Sequence, residues 1–253
     1  MTVHLAAIQR HPIKSHGREA LASVSLSEGR SMPWDRRWAV AHARTKFDAA
    51  APAWAKSANF VIGTRAPALT AIAAVLDEAT ATVTLTHPER PAITFAPDDA
   101  ADQARFLDWV APLCLPDQPA PQALVTVPDR GMTDTDYPSV SLLNLASGTD
   151  LGQRMGVDLS PLRWRGNLWL DGLEPWQEAG WIGRDLRIGA ARLRIVEPIT
   201  RCKATTANPA TGLRDADTLA ALRQGFDHQL FGLYARVIEG GTIGQGDRVE
   251  VLA

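Results

Sequence analysis

The sequence predicts a mostly β protein with a few helices, an α+β fold, on three observations. Short runs alternating apolar and polar residues recur at 80–86, 191–196 and 231–237, each bounded by Gly, Pro, Asn or Asp. Two stretches, 100–110 and 218–229, carry apolar residues at helical spacing, and a third, 69–76, is ambiguous, with Leu69, Ile72, Ala73 and Leu76 fitting a helical face ahead of the strong strand signal at 80–86. Hydrophobic residues make up 45% of the chain and charged ones 21%, which suffices to bury a core. A length of 253 residues admits one or two domains when about 150 residues is taken as the usual size.

In order, residues 3–8 form an apolar, β-branched run before Arg10-His11-Pro12 and read as a first strand. Residues 21–26 alternate as a second, and Glu28-Gly29-Arg30 turns the chain. Asp98-Asp99 opens the helix predicted over 100–110, with acidic residues at the favourable end of its dipole. Pro112, Pro116, Pro119, Pro121 and Pro128 cannot continue a helix and read as a connection between two halves, so domains are expected at 1–116 and 117–253. Residues 132–138 are polar and turn-like, and 140–145 are apolar. Residues 186–189 and 191–196 make a hairpin-like pair, 218–229 a helix, 231–237 a strand, and the glycine-rich 240–249 a turn and closing strand.

Chemistry concentrates around Cys202. It stands between Arg201 and Lys203 in a segment that leaves the 191–196 strand and enters the turn signals Asn208-Pro209 and Thr211-Gly212. Adjacent cations stabilise a thiolate, the form that attacks electrophiles or binds metals. The other cysteine, Cys114, has no charged neighbour and reads as packing. Lys14-Ser15 could hold a phosphate by charge and hydrogen bond. Arg36, in Asp35-Arg36-Arg37-Trp38, could do so with its planar fork, although an Asp35–Arg36 pair or an exposed Arg37 would also explain the motif.

Five separated motifs together resemble the MOSC domain family, with its N-terminal β-barrel-like domain: P-x-K-S at Pro12, D-R-x-W at Asp35, W-R-G-N at Trp164, R-C-x-x-T-T-x-x-P-x-T-G at Arg201, and F-G-x-Y at Phe231 followed by G-x-I-x-x-G-D-x-V. The W-R-G-N stretch departs from the family's F-R-P-N, with Trp164 for the aromatic and Gly166 for the proline. The resemblance implies two packed β-barrel domains with a molybdenum–molybdopterin cofactor between them. It makes Cys202 the thiolate ligand of the metal. Lys14, Ser15, Arg36, Thr135, Arg165, Asn167, Thr200, Arg201 and Tyr234 become cofactor contacts, with Asp136 and Tyr137 as alternatives to Thr135. It pairs 69–76 with 80–86 as a hairpin. The implied reaction is two-electron oxygen abstraction from N-hydroxylated compounds such as amidoximes and hydroxylamines. Electrons would come from a separate ferredoxin or flavin reductase, since the chain has no cysteine cluster for an iron–sulfur centre. A non-catalytic cofactor carrier would need the same residues, and a metal-free thiol redox protein would need Cys202 but not the arginines.

Other functions fit less well. A formal net charge of −2 offers no general attraction to nucleic acid or acidic membranes. The six histidines form no H-E-x-x-H or ligand-like cluster. No G-x-S-x-G elbow, P-loop or dinucleotide fingerprint is present, and no pyridoxal phosphate site is expected. Two cysteines without C-x-x-C spacing, a short apolar N-terminal run and no long apolar segment predict a cytoplasmic protein.

Overall fold

The computed structural model describes residues 2–252. Its strands and helices are β1 (His4–Arg10), β2 (Glu19–Leu21), β3 (Ser23–Leu26), β4 (Trp38–His42), β5 (Ala73–Asp77), β6 (Thr82–His87), β7 (Arg90–Phe95), α1 (Ala100–Val110), β8 (Pro121–Thr126), β9 (Val140–Asn144), α2 (Leu145–Met155), β10 (Leu168–Asp171), β11 (Asp185–Ile188), β12 (Ala191–Thr200), α3 (Thr218–Phe226), β13 (Leu230–Glu239), β14 (Gly241–Gly244) and β15 (Val249–Val251). The fold is mostly β with three α-helices, as the sequence predicts.

An eight-stranded sheet runs β15-β11-β12-β13-β9-β10-β1-β2. Its β9–β10 pair is parallel and the other pairs are antiparallel. Along β12 the side chains of Ala191, Leu193 and Ile195 are buried while their neighbours are more exposed, the period of a strand with one face on a core. That core also takes Leu5 and Ile8 of β1 and Val140 and Leu142 of β9. The N-terminal strand is therefore part of the same sheet as the C-terminal half. A second core lies among β5–β7 and α1, where Phe95 stacks on Phe106 at a centroid distance of 4.7 Å.

Helix α1 starts where Asp99 accepts a hydrogen bond from the Asp102 N–H, and buries Phe106, Trp109 and Val110. Helix α2 has two internal glycines, Gly148 and Gly152, both buried. Its boundaries come from Asn144, which caps the Ala146 N–H, and from Gly156, whose φ of 67° ends the helix in the left-handed region.

Three expectations are refined. Residues 69–76 are neither one helix nor one strand: a short 3₁₀ turn, Pro67–Ala71, precedes β5, which does pair with β6. The second predicted strand is divided into β2 and β3. The proline-rich stretch is not all connection, because β8 begins at Pro121 and pairs with β4. Proline is tolerated there as the first residue of a strand in a two-stranded pair. No helix among the described residues is long and apolar enough to cross a membrane.

Candidate functional site

Loops from both halves of the chain meet around a cavity of about 420 Å³. Its lining includes Lys14, Ser15, Arg36 and Thr64 from the first half, and Asp134, Arg163, Arg165, Thr200, Arg201, Cys202 and Tyr234 from the second. Eight of the residues named from sequence are thus brought to one place: Lys14, Ser15, Arg36, Arg165, Thr200, Arg201, Cys202 and Tyr234.

The backbone at this place is unusual. Ser15, Arg36 and Arg165 have φ of 65°, 52° and 52°, in the left-handed region that residues with side chains seldom adopt. Such conformations persist where surrounding structure holds them, and functional sites are where they gather. Here the Arg36 N–H donates to His11 O at 2.6 Å and the Arg165 N–H to Leu162 O at 3.4 Å.

Each cation is anchored on one side. Arg36 Nη1 donates to the buried carboxylate of Asp35, and its Nη2 to Arg165 O at 3.2 Å. Asp35 in turn accepts from the His11 N–H at 2.8 Å. Burial opposes its charge, but the Arg36 guanidinium and His11 hold the Asp35 carboxyl well below the usual range. Lys14 Nζ donates to Asp134 Oδ1 at 2.5 Å and to Met132 O at 2.9 Å. Burial lowers the Lys14 pKa, partly offset by Asp134. The Asp35–Arg36 pair and the cavity-lining arginine, weighed as alternatives in the sequence, are both present in one residue. Arg37 lines a different cavity with Trp34 and Arg130.

Arg165 and Arg201 remain incompletely paired. Arg165 Nη2 donates to Gly17 O at 3.1 Å, while Nη1 is buried without a partner. Arg201 donates from Nε to Phe231 O and from Nη1 to Trp164 O, each at 2.8 Å, and its Nη2 has none. Burial, helped by Arg36 and Arg18, pushes Arg165 down to about 9; burial pushes Arg201 down to about 10. Two further residues on the cavity, Arg163 and Trp164, also carry a buried N–H without a partner. A buried donor left unsatisfied costs about 1–3 kcal/mol, and those of Arg165 and Arg201, on two cations that line the cavity, suit it to an acceptor-bearing anion. Lys14, Arg36, Arg165 and Arg201 face only Asp35 and Asp134 as carboxylates.

Cys202 is exposed at this cavity, and its Sγ lies 3.1 Å from Thr64 Oγ1. Behind it, residues 203–206 form a 3₁₀ turn. Arg163 supports that turn by donating to Thr205 O at 3.0 Å and Ala207 O at 3.3 Å. Among the described residues no three His, Cys, Asp or Glu side chains gather as a metal site. The described residues therefore offer a metal at this cavity one thiol and no complete ligand set.

Two residues named from sequence lie off the cavity. Thr135 Oγ1 donates to Tyr137 O at 2.6 Å and lies 2.8 Å from Ser139 Oγ, whose hydroxyl can donate to it, so the Thr135 hydroxyl is turned into its own loop. Tyr137 donates to Glu197 at 2.6 Å. Asn167 is buried and braces β9 through Ser141, whose N–H and hydroxyl donate to Asn167 Oδ1 at 3.1 and 2.8 Å. Conversely, sequence reasoning missed Asp134, Arg163 and Thr64. Asp134 stood next to Thr135 in the loop already singled out; Thr64 carried no local signal.

Residues 130–250 match the MOSC domain family and residues 2–112 the MOSC N-terminal beta barrel domain. The chain belongs to the MOSC-domain proteins that carry this N-terminal barrel. Mitochondrial amidoxime-reducing component 1 of Xenopus laevis is 34% identical over 128 residues, which are 45% of this chain and 37% of that protein. Molybdenum cofactor sulfurase 2 of Culex quinquefasciatus is 31% identical over 86 residues, 34% of this chain and 11% of that protein. The matched part thus spans little more than a third of the first relative and about a tenth of the second. The YUAD protein of Bacillus subtilis shares the fold, with a TM-score of 0.50 at 13% identity over 99% of this chain and 96% of that one.

Proposed function

We propose that the chain is a molybdenum cofactor-dependent reductase of N-hydroxylated compounds, with the molybdopterin held in the cavity and Cys202 as the protein's ligand to the metal. The observation that carries this reading is the coincidence of buried, unpartnered N–H groups on Arg165 and Arg201 with an exposed thiol on the same cavity. A pterin phosphate supplies the missing acceptors, and a thiolate is a soft donor suited to such a metal. The similarity to an amidoxime-reducing component and to a molybdenum cofactor sulfurase supports it.

The residues divide the work. Lys14, Arg36 and Arg165 would hold the phosphate, with Ser15 adding a hydroxyl; Arg201, Thr200 and Tyr234 would line the rest of the cofactor. Thr135 and Asn167 would support this set by fixing the 132–139 loop and β9. When bound, the cofactor supplies the two-electron redox couple, while the protein sets binding, access and electrostatics. In the net reaction of an amidoxime, two electrons and two protons enter, the N–O bond breaks, and the products are an amidine and water. Asp134 stays ionised because Lys14 and Arg36 hold its carboxyl well below the usual range. It is thus an acceptor at the cavity wall and a partner for a cationic amidine. The electrons would come from a separate ferredoxin or flavin reductase, and the chain would divide near residues 116–117 into its two domains.

The test is molybdenum per chain, for the parent and Cys202→Ala, in a host that makes molybdopterin, followed by amidoxime turnover with an artificial reductant. About one metal per parent chain and turnover that Cys202→Ala abolishes are expected. A parent without metal overturns the cofactor reading. Metal without turnover of amidoximes, hydroxylamines or N-hydroxylated bases would leave a carrier.

A further inference from the structure

We infer that Thr64 is a positioning residue for Cys202, donating a hydrogen bond to its sulfur and thereby tuning the metal centre; this rests on the reading that Cys202 is the metal's thiolate ligand. Thr64 lies 138 residues before the cysteine, yet its Oγ1 is 3.1 Å from Cys202 Sγ, within the range of a bond to sulfur. A metal-bound thiolate has no proton, so the hydroxyl is then the donor. Thr64 sits in a closed turn: the Arg65 and Ala66 N–H groups both donate to Ile62 O at 3.0 Å.

Arg214 locks this turn to the thiol loop. Its Nη2 donates to Thr64 O at 2.7 Å, while its Nη1 donates to Lys203 O and to Thr206 Oγ1, each at 2.5 Å. One guanidinium therefore grips the residue bearing the hydroxyl and the residue after the cysteine. The Thr64–Cys202 distance is set by a rigid fork rather than by a lone side-chain contact.

A hydrogen bond to a ligating thiolate withdraws electron density from the sulfur, and hydrogen bonding around a Cys ligand is a recognised determinant of metal potential. Removing it makes the sulfur a stronger donor and stabilises the oxidised metal. The reduction potential then moves to more negative values. The contact spans the two halves of the chain, so the N-terminal half would act on the metal without ligating it.

The experiment compares parent, Thr64→Val, Thr64→Ser and Arg214→Ala, each loaded in a molybdopterin-producing host. The readouts are metal per chain, the paramagnetic resonance spectrum of partly reduced protein, and the midpoint potential. Expected are near-parent metal in Thr64→Val with an altered spectrum and a more negative potential, and recovery of both in Thr64→Ser. Arg214→Ala should broaden the spectrum by loosening the turn. Metal-loaded Thr64→Val with the parent's spectrum and potential would overturn the inference alone, leaving the cofactor reading intact. A metal-free parent would overturn both.

Discussion

Lys14 and Asp134, 120 residues apart in sequence, are joined at 2.5 Å across the seam between the two halves. The amine is almost fully buried while the carboxylate is half exposed, with side-chain exposures of 4% and 49%. The pair is thus both a fastening and a wall of the cavity. Asp134→Asn leaves a buried ammonium with weaker acceptors. Because one partner is wet, the expected loss is about 1–2 kcal/mol, below that of breaking a fully buried pair. A double-mutant cycle with Lys14→Met, read by urea unfolding, should give a coupling energy of at least about 0.5 kcal/mol. Additive single effects would show that the two charges are not coupled.

Phosphate should stabilise the metal-free protein. The unpartnered donors on Arg165 and Arg201 gain an acceptor on binding an anion, and binding to the folded state alone raises stability with ligand concentration. At a phosphate concentration about 100 times the dissociation constant the gain is about 2.7 kcal/mol. Inorganic phosphate should therefore raise the melting temperature more than chloride of equal ionic strength, and Arg165→Met should abolish the difference. Thr135→Ala should keep it, since that hydroxyl is spent within its own loop. Equal shifts in parent and Arg165→Met would place the anion elsewhere.

What the sequence disclosed of this site follows from how local each signal is. Cys202 between two cations and Lys14 beside Ser15 are signals written in adjacent residues, and Cys202, Arg201, Lys14 and Ser15 line the cavity, though Lys203 does not. Arg36 was legible as a cation in a motif, though not its grip on Asp35 and Arg165. Thr64 is one threonine in a turn, and only the closing of the chain over 138 residues gives it a sulfur to touch. The same limit governs the fold. An apolar, β-branched run marks β1 and alternation marks β12 as strands, but neither signal says that β1 joins the C-terminal sheet. Helix α2 follows β9 where the family resemblance implies a strand and then a helix; its own residues mark it chiefly by the caps, Asn144 and Gly156.

The glycine of the F-G-x-Y motif has a steric reason that a substitution can measure. Gly232 has φ 79°, and a Cβ there would lie 2.8 Å from both Leu142 O and Leu143 Cγ and 3.2 Å from Arg201 Nη2. Gly232→Ala combines backbone strain with overpacking and should cost about 2–4 kcal/mol. Gly246, at φ 90° with nothing within 4 Å, supplies the control. Gly246→Ala carries strain alone and should cost about 1 kcal/mol. Equal losses in urea unfolding would remove the packing argument. A loss confined to Gly232→Ala would remove the strain argument instead.

Acid should destabilise the fold in two separable windows. His11 and His16 are buried, and burial is the main cause that pushes them down to about 3 and about 4, with Arg165 adding to both. Each is neutral in the folded protein, while in the unfolded chain it takes up a proton below about pH 6.5. The unfolded state then binds more protons, so this contribution is fully present above about pH 6.5 and is lost as pH falls toward 4 and then 3. The slope is at most about 1.4 kcal/mol per pH unit for each histidine. Asp35 acts lower. Its carboxyl is held far below the ordinary range, so its contribution is present above about pH 4 and disappears as the pH drops further. His16→Gln should therefore flatten the dependence of unfolding free energy on pH between about 6.5 and 4, and Asp35→Asn should alter only the limb below. An unchanged slope in His16→Gln would mean that the ring is free to take up its proton in the folded protein, and that burial, opposed by the bond from its Nδ1 to Lys14 O at 2.7 Å, does not hold it neutral.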